Sequence, residues 1–161
     1  MQKTWIRIVT TVLTLTMMGL IFFFSTEGAV ESDATSGILS RSILKVIRPD
    51  FEQLPEEERI NLYNQVQTVV RKTAHFTEFM LLGLFLRCCL ESWFGPGVPA
   101  LGPIALGGGA AYAALDEWHQ TLVDGRAGQW RDVGIDSAGV LVGVLLAALL
   151  IRRVANRQRK G

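Results

Sequence analysis

Four apolar runs, each near the length that crosses a bilayer and each closed off by charge, constrain this chain more than any other feature. They occupy residues 5–24, 74–90, 98–115 and 133–151. A spanning helix needs ~20 mainly apolar residues. The first run carries only Arg7, and the third carries no charge but is rich in glycine and proline. The second carries His75, Glu78 and Arg87, and the fourth only Asp136. Of the 161 residues, 49% are hydrophobic and 19% charged, and most charges fall between the runs. The fold class this implies is all-α: a polytopic membrane protein in one domain, 1–161, with four transmembrane helices. A loop at 25–73 carries amphipathic helices, and a basic tail occupies 152–161.

The first run is expected to be a retained span, not a cleaved leader. Its apolar core runs on to Phe24, past the ~7–15 residues of a signal peptide core. No small-x-small cleavage pattern follows in Ser25, Thr26, Glu27, Gly28 and Ala29. The net charge of +1 gives no general attraction to nucleic acid, and no phosphate loop or zinc-finger spacing is present. Cys88 and Cys89 are adjacent, a spacing that rarely forms a structural disulfide, so reduced thiols are expected.

Basic residues flanking the spans set orientation. Arg152, Arg153, Arg157, Arg159 and Lys160 crowd the C-terminus without an acid, and Lys3 and Arg7 mark the N-terminus. Both termini are therefore expected in the cytoplasm of a cell-membrane, multi-pass protein. The loop 25–73 mixes acids and bases and is expected outside. Trp5 and Trp93 then fall at the inner interface, and Trp118 and Trp130 at the outer one. Within the loop, Leu39, Ile43, Val46 and Ile47 form an amphipathic stripe that Pro49 ends, interleaved with Arg41, Lys45 and Arg48. That segment is expected to lie on the membrane surface. A second helix is expected from Pro55, with Glu56, Glu57 and Glu58 at its positive end, running through Tyr63, Val66 and Val70 into the second span. Gly139 and Gly143, and the glycines at 107–109, are expected to let neighbouring helices approach closely. The aromatic run at 22–24 is expected to face lipid.

This topology brings the chain's costly polar residues to one face. The second span starts outside with His75 and Glu78, and the third ends there with Asp116, Glu117, His119 and Gln120. The fourth starts there with Asp132 and Asp136, and the connecting loop holds Arg126 and Arg131. Intramembrane ionisable residues mark function by default. His75 and Glu78 share a helix face at i, i+3, and Asp132 and Asp136 share one at i, i+4. Arg71 and Lys72, just outside His75, suit contact with lipid headgroups.

Three readings of the cluster stand side by side. The carboxylates pair with Arg126 or Arg131 and tie helix ends together, although buried pairs add little net stability. Alternatively His75, Glu78, Asp116, Glu117 and His119 act as catalytic acid and base groups, or ligate a divalent metal through carboxylate–histidine pairs. No HExxH signature supports a metal. In that reading Arg126 holds a phosphate or carboxylate of a substrate, such as a lipid-linked phosphate, for a membrane-embedded hydrolase or transferase. In the third reading Gln120, Arg126, Asp132 and Asp136 grip a lipid headgroup, a cell-wall precursor or another protein without chemistry.

Two blocks of these residues resemble a known pattern. Lys72-x-x-His75-Phe76-x-Glu78-Phe79 resembles the Lys-x-x-His-Phe-x-Glu-aromatic block of the VanZ-like family, with Phe79 where tyrosine is common. Asp116-Glu117-Trp118-His119-Gln120, then Arg126 and Asp132, resembles its second block, and Ser25, Ser32 and Ser36 fit its looser first block. The resemblance implies a small bacterial cell-envelope membrane protein of about four helices. The namesake of the family is associated with glycopeptide resistance, chiefly to teicoplanin. By that resemblance the expected partners are membrane lipids and a lipid-linked or glycopeptide ligand. The expected site is one outward-facing pocket, holding an anionic or lipophilic envelope molecule, with effects on glycopeptide tolerance.

Overall fold

The computed structural model describes residues 2–26, 29–95, 98–123 and 128–158, and their side chains except at 2, 29–35 and 158. Among the described residues the chain is helical, without a strand. It forms α1 (Gln2–Thr26), α2 (Ala29–Ile47), a 3-10 turn (Phe51–Gln53), α3 (Glu56–Phe94), α4 (Leu101–Gln120) and α5 (Trp130–Gln158). α1, α3, α4 and α5 pack into one bundle, with the α3–α5 seam the most extensive, and α2 lies against α3.

Contacts between helices fix their directions. Arg7 Nε donates to the Ser92 carbonyl at 3.0 Å, and Thr11 Oγ1 lies 3.4 Å from Cys89 Sγ, so α1 and α3 are antiparallel. The Tyr112 hydroxyl donates to the Met18 carbonyl at 2.7 Å, and His119 stacks on Phe22, so α1 and α4 are parallel. Lys72 pairs with Asp132 and Phe76 meets Gly139, so α3 and α5 are parallel. The four helices therefore alternate in direction, as the charge pattern requires.

Among the described residues, three helical stretches are long and apolar enough to cross a membrane: Lys3–Thr26, Glu56–Phe94 and Trp130–Arg157. This is one fewer than the four read from sequence. α4 has 20 residues, but glycine and proline dilute its apolar part and its last turns hold Asp116, Glu117, His119 and Gln120. α3 has 39 residues. At 1.5 Å per residue it is about 58 Å long, nearly twice a hydrocarbon core. The second span and the expected loop helix are thus one continuous helix. Pro55 stands at its N-cap position, with Glu56, Glu57 and Glu58 in its first turn. Gly95, at φ 88°, ends it in a backbone conformation that favours glycine.

The packing follows membrane logic, with small residues inside and large ones outside. On α5, Asp136, Gly139, Val140, Gly143, Val144 and Ala147 face inward, while Leu141, Leu145, Leu146, Leu149 and Leu150 are exposed. α1 likewise exposes Ile8, Val12, Leu15, Phe22 and Phe23. A continuous apolar coat of this kind marks a membrane-facing surface. Thr10, Thr14 and Thr77 donate their hydroxyls to carbonyls four residues back, so each is satisfied within its own helix.

Gly139 and Gly143 do what their spacing suggested. A Cβ at Gly139 would stand 2.5 Å from the Phe76 carbonyl oxygen, and one at Gly143 would overlap the Met80 carbonyl. Gly83 meets the Val140 backbone from the α3 side. In α4 only Gly109 is in tight contact, against the Val140 side chain; Gly107 has open space and Gly108 an ordinary contact with Leu86. The close approach expected across 107–109 is therefore confined to Gly109.

α2 ends at Ile47, just before Arg48 and Pro49. Leu39, Val46 and Ile47 of its apolar stripe are exposed. The opposite face, Gly37, Ser40 and Leu44, is buried, with Ser36 Oγ accepting from Gln67 Nε2 at 3.4 Å. Cys88 and Cys89 are both free thiols.

Candidate functional site

At the bundle end remote from both termini, α3, α4 and α5 part and enclose a cavity of about 330 Å³. α3 lines it with Thr68, Arg71, Lys72 and His75, which recur at i, i+3, i+4 and i+7 and so share one face. α4 contributes Glu117 and Gln120 from its last turn. α5 contributes Asp132, Ile135 and Asp136, preceded by Gln129. The parallel course of α3 and α5, with α4 running against both, places the end of α4, the start of α5 and the middle of α3 at the same level.

Several contacts order the walls. Lys72 Nζ donates to Asp132 Oδ1, an ion pair that joins α3 to α5 at the cavity wall. Glu117 Oε2 accepts the backbone N–H of Gln129 at 2.9 Å, which ties α4 to the start of α5. Gln120 Nε2 donates to Asp116 Oδ2 at 3.0 Å, one turn apart on a buried face of α4. His75 Nδ1 lies 3.7 Å from Glu78 Oε2 across one turn of α3. Asp116 has both imidazoles, His75 and His119, within electrostatic reach, with the buried Ser25 of α1 beside it.

Asp136 differs from all of these. It is 1% exposed and lines the cavity, yet neither carboxylate oxygen has a hydrogen-bond partner among the described residues. Glu78, Asp116, Glu117 and Asp132 are the carboxylates within its electrostatic reach. Buried charges are normally paired or coordinated, because desolvation is costly. The described cations at the cavity are Arg71 and Lys72, so acids exceed bases there.

The cluster foreseen on the sequence is thus largely one neighbourhood. His75, Glu117, Gln120, Asp132 and Asp136 line the cavity, and Glu78 and Asp116 lie just behind its wall. His119 does not line it: its ring stacks on Phe22 at 4.7 Å, and its Nε2 is buried without a hydrogen-bond partner among the described residues. Phe22 is accordingly a stacking partner as well as an exposed residue. Arg126 falls outside the described residues. Arg131 is exposed, and the cation that pairs with Asp132 is Lys72, expected from its position to contact headgroups. Among the described residues, no three His, Cys, Asp or Glu side chains are grouped to hold a metal ion. The carboxylate–histidine pairs at His75–Glu78 and Asp116–His119 therefore do not combine into a metal-binding set there.

Thr68, Gln129 and Ile135 were missed by sequence reasoning. The heptad-like recurrence of polar residues at 68, 71, 72 and 75 was the available signal for Thr68. Gln129 contributes through its backbone, for which side-chain chemistry gives no signal.

Fold and site together define a membrane protein: helices of membrane length, an apolar exterior, and an acid-rich cavity at one end of the bundle. Within that class the chain belongs to the VanZ/LLP1 family, whose model matches residues 10–151. The match takes in every residue that lines the cavity. No curated protein and no solved structure matches the chain.

Proposed function

We propose that this VanZ-family protein crosses the cell membrane four times, with both termini in the cytoplasm, and binds a polar envelope molecule in an outward-facing cavity. The observation that carries the reading is Asp136, a buried carboxylate without a hydrogen-bond partner among the described residues, in the wall of a 330 Å³ cavity. A ligand that enters this cavity supplies what the protein withholds. α4 completes the fourth crossing, because its neighbours on both sides run opposite to it. The orientation rests on the basic C-terminal tail and on Lys3 and Arg7 at the same bundle end. A cavity of this volume suits a small molecule or the head of a larger one. An effect on glycopeptide tolerance follows if the occupant is an envelope component that such antibiotics meet.

Native mass spectrometry of the purified chain tests the reading. Expected is a bound envelope molecule that the Asp136→Asn variant releases. Recovery of the wild-type protein free of any such molecule, across membrane extracts, would sink it.

A second reading, a membrane-embedded hydrolase or transferase, draws on the His75–Glu78 contact at 3.7 Å beside Asp116. It predicts turnover of a lipid-linked phosphate that Glu78→Gln abolishes. Binding without turnover leaves the binding reading in place.

A further inference from the structure

We infer that the cavity is selective for a zwitterion: a primary ammonium group held against Asp136, with an anionic group a few bonds away meeting Arg71 and Lys72. The inference rests on the proposed binding function and names the chemistry of its ligand. Three observations point to it. Asp136 is almost wholly buried, faces the cavity, and has two acceptor oxygens that no described residue satisfies. Around it the further acidic groups Glu78, Asp116 and Glu117 make the cavity floor rich in acceptor oxygens. Among the described residues, the cationic side chains that line the cavity, Arg71 and Lys72, stand on the outer part of the α3 face, with Lys72 paired to Asp132.

The two charges are separated along the bundle axis. Lys72 is level with Asp132, and Asp136 lies one turn further along α5. At 1.5 Å per residue that step is about 6 Å. A purely anionic ligand meets favourable charge at the rim and repulsion at the floor. A purely cationic one meets Arg71 and Lys72 at the rim, where Asp132 is already engaged by Lys72. A molecule that carries ammonium and phosphate or carboxylate within a few bonds satisfies both levels. The ammonium offers three donors to a floor built of acceptors. Opposite charge then replaces the hydration that Asp136 loses on burial.

Such a zwitterion reaches the cavity either as a free molecule from the aqueous side or as the headgroup of a lipid. Isothermal titration of the purified full-length chain separates these sources. The soluble probes are phosphoethanolamine, glycerol 3-phosphate, which lacks the amine, and phosphocholine, whose quaternary nitrogen cannot donate. Phosphoethanolamine is expected to bind about tenfold more tightly than either, the scale of one lost charged hydrogen bond. Asp136→Asn, which keeps the shape and removes the charge, is expected to erase that preference. The comparison among the three probes uses the wild-type chain alone and stands whether or not the variant folds.

Dihexanoyl phosphatidylethanolamine forms the lipid arm. Tighter binding than phosphoethanolamine assigns the ligand to a headgroup, and failure to bind assigns it to the aqueous phase. Equal binding of all three soluble probes overturns the ammonium inference but leaves a binding cavity. The same holds if a folded Asp136→Asn variant keeps the preference. Binding of none of the probes, lipid included, while another envelope molecule co-purifies, overturns the inference alone. If nothing co-purifies either, the binding function falls with it.

Discussion

The seam between α3 and α5 changes character within two helical turns. From Phe76 and Gly139 inward the two backbones touch, because Gly83, Gly139 and Gly143 leave no side chain between them. From His75 and Asp136 outward the same helices bear polar side chains and part around a cavity. One half follows the rule that membrane helices associate through small residues. The other keeps carboxylates at a depth where they cost stability. The close-packed half holds the helices in register, and that register allows the open half to keep an unsatisfied Asp136 in place.

The comparison is broken most severely at the glycines. A Cβ at Gly143 meets the Met80 carbonyl and the Leu84 amide, both backbone, which cannot swing aside. Gly143→Ala is therefore expected to lower stability by about 1–3 kcal/mol, the range for overpacking a filled interior. Reversible denaturation in detergent would measure it. Gly107→Ala and Gly134→Ala are the controls, since nothing lies within 4 Å of a Cβ at either position. Both are expected to be neutral or to stabilise by roughly 0.5–1 kcal/mol, because alanine favours the helix. Equal losses at all three positions would show that the seam does not depend on close backbone approach.

Asp136 gives the next largest effect, with the opposite sign. Asparagine there removes a buried ionisable carboxyl without hydrogen-bond partners among the described residues and preserves the shape. Stability of the ligand-free protein is expected to rise by about 1 kcal/mol at alkaline pH, where the carboxyl is ionised, since an unsatisfied buried charge costs more than an unsatisfied amide. Ligand binding is expected to fall in the same variant. A protein that is destabilised by Asp136→Asn in the absence of ligand would carry its carboxylate for structure, and the contrast between the two halves would lose its functional half.

Much of this contrast was legible in the sequence, because depth along a helix is a matter of counting. Alternating spans put His75, Asp116 and Asp132 at one level, and the spacing of Gly139 and Gly143 announced the close approach. Pro49 and the run Glu56, Glu57 and Glu58 marked where α2 stops and α3 starts. What counting does not provide is azimuth. Asp116 and His119 are one turn apart, yet Asp116 bonds Gln120 on a buried face while His119 turns toward Phe22 of α1. Lys72 resembled an interfacial lysine until the neighbouring helix placed Asp132 against it. α2 shows the same limit: its apolar stripe points outward, and the small residues Gly37 and Ser40 pack against α3. Which side of an amphipathic helix is inside depends on whether its surroundings are water or lipid, and periodicity alone is silent on that.

The smallest expected effect lies in the open half, at the Lys72–Asp132 pair. The two side chains are 37% and 26% exposed, so solvent screens their attraction and the pair is a weak structural tie. A double-mutant cycle of Lys72→Met with Asp132→Asn is expected to give a coupling of about 0.2–1 kcal/mol. Added salt should reduce it, as screening of exposed charges requires. Folding stability of the four proteins in detergent, at low and high salt, measures both. A coupling above about 2 kcal/mol, insensitive to salt, would place the pair in a dry, low-dielectric site. The cavity would then be sealed at that level, and a ligand from the aqueous side would have to break the pair to reach Asp136. A weak, screened pair instead leaves the rim open and lets Lys72 turn from Asp132 to an incoming anion at little cost.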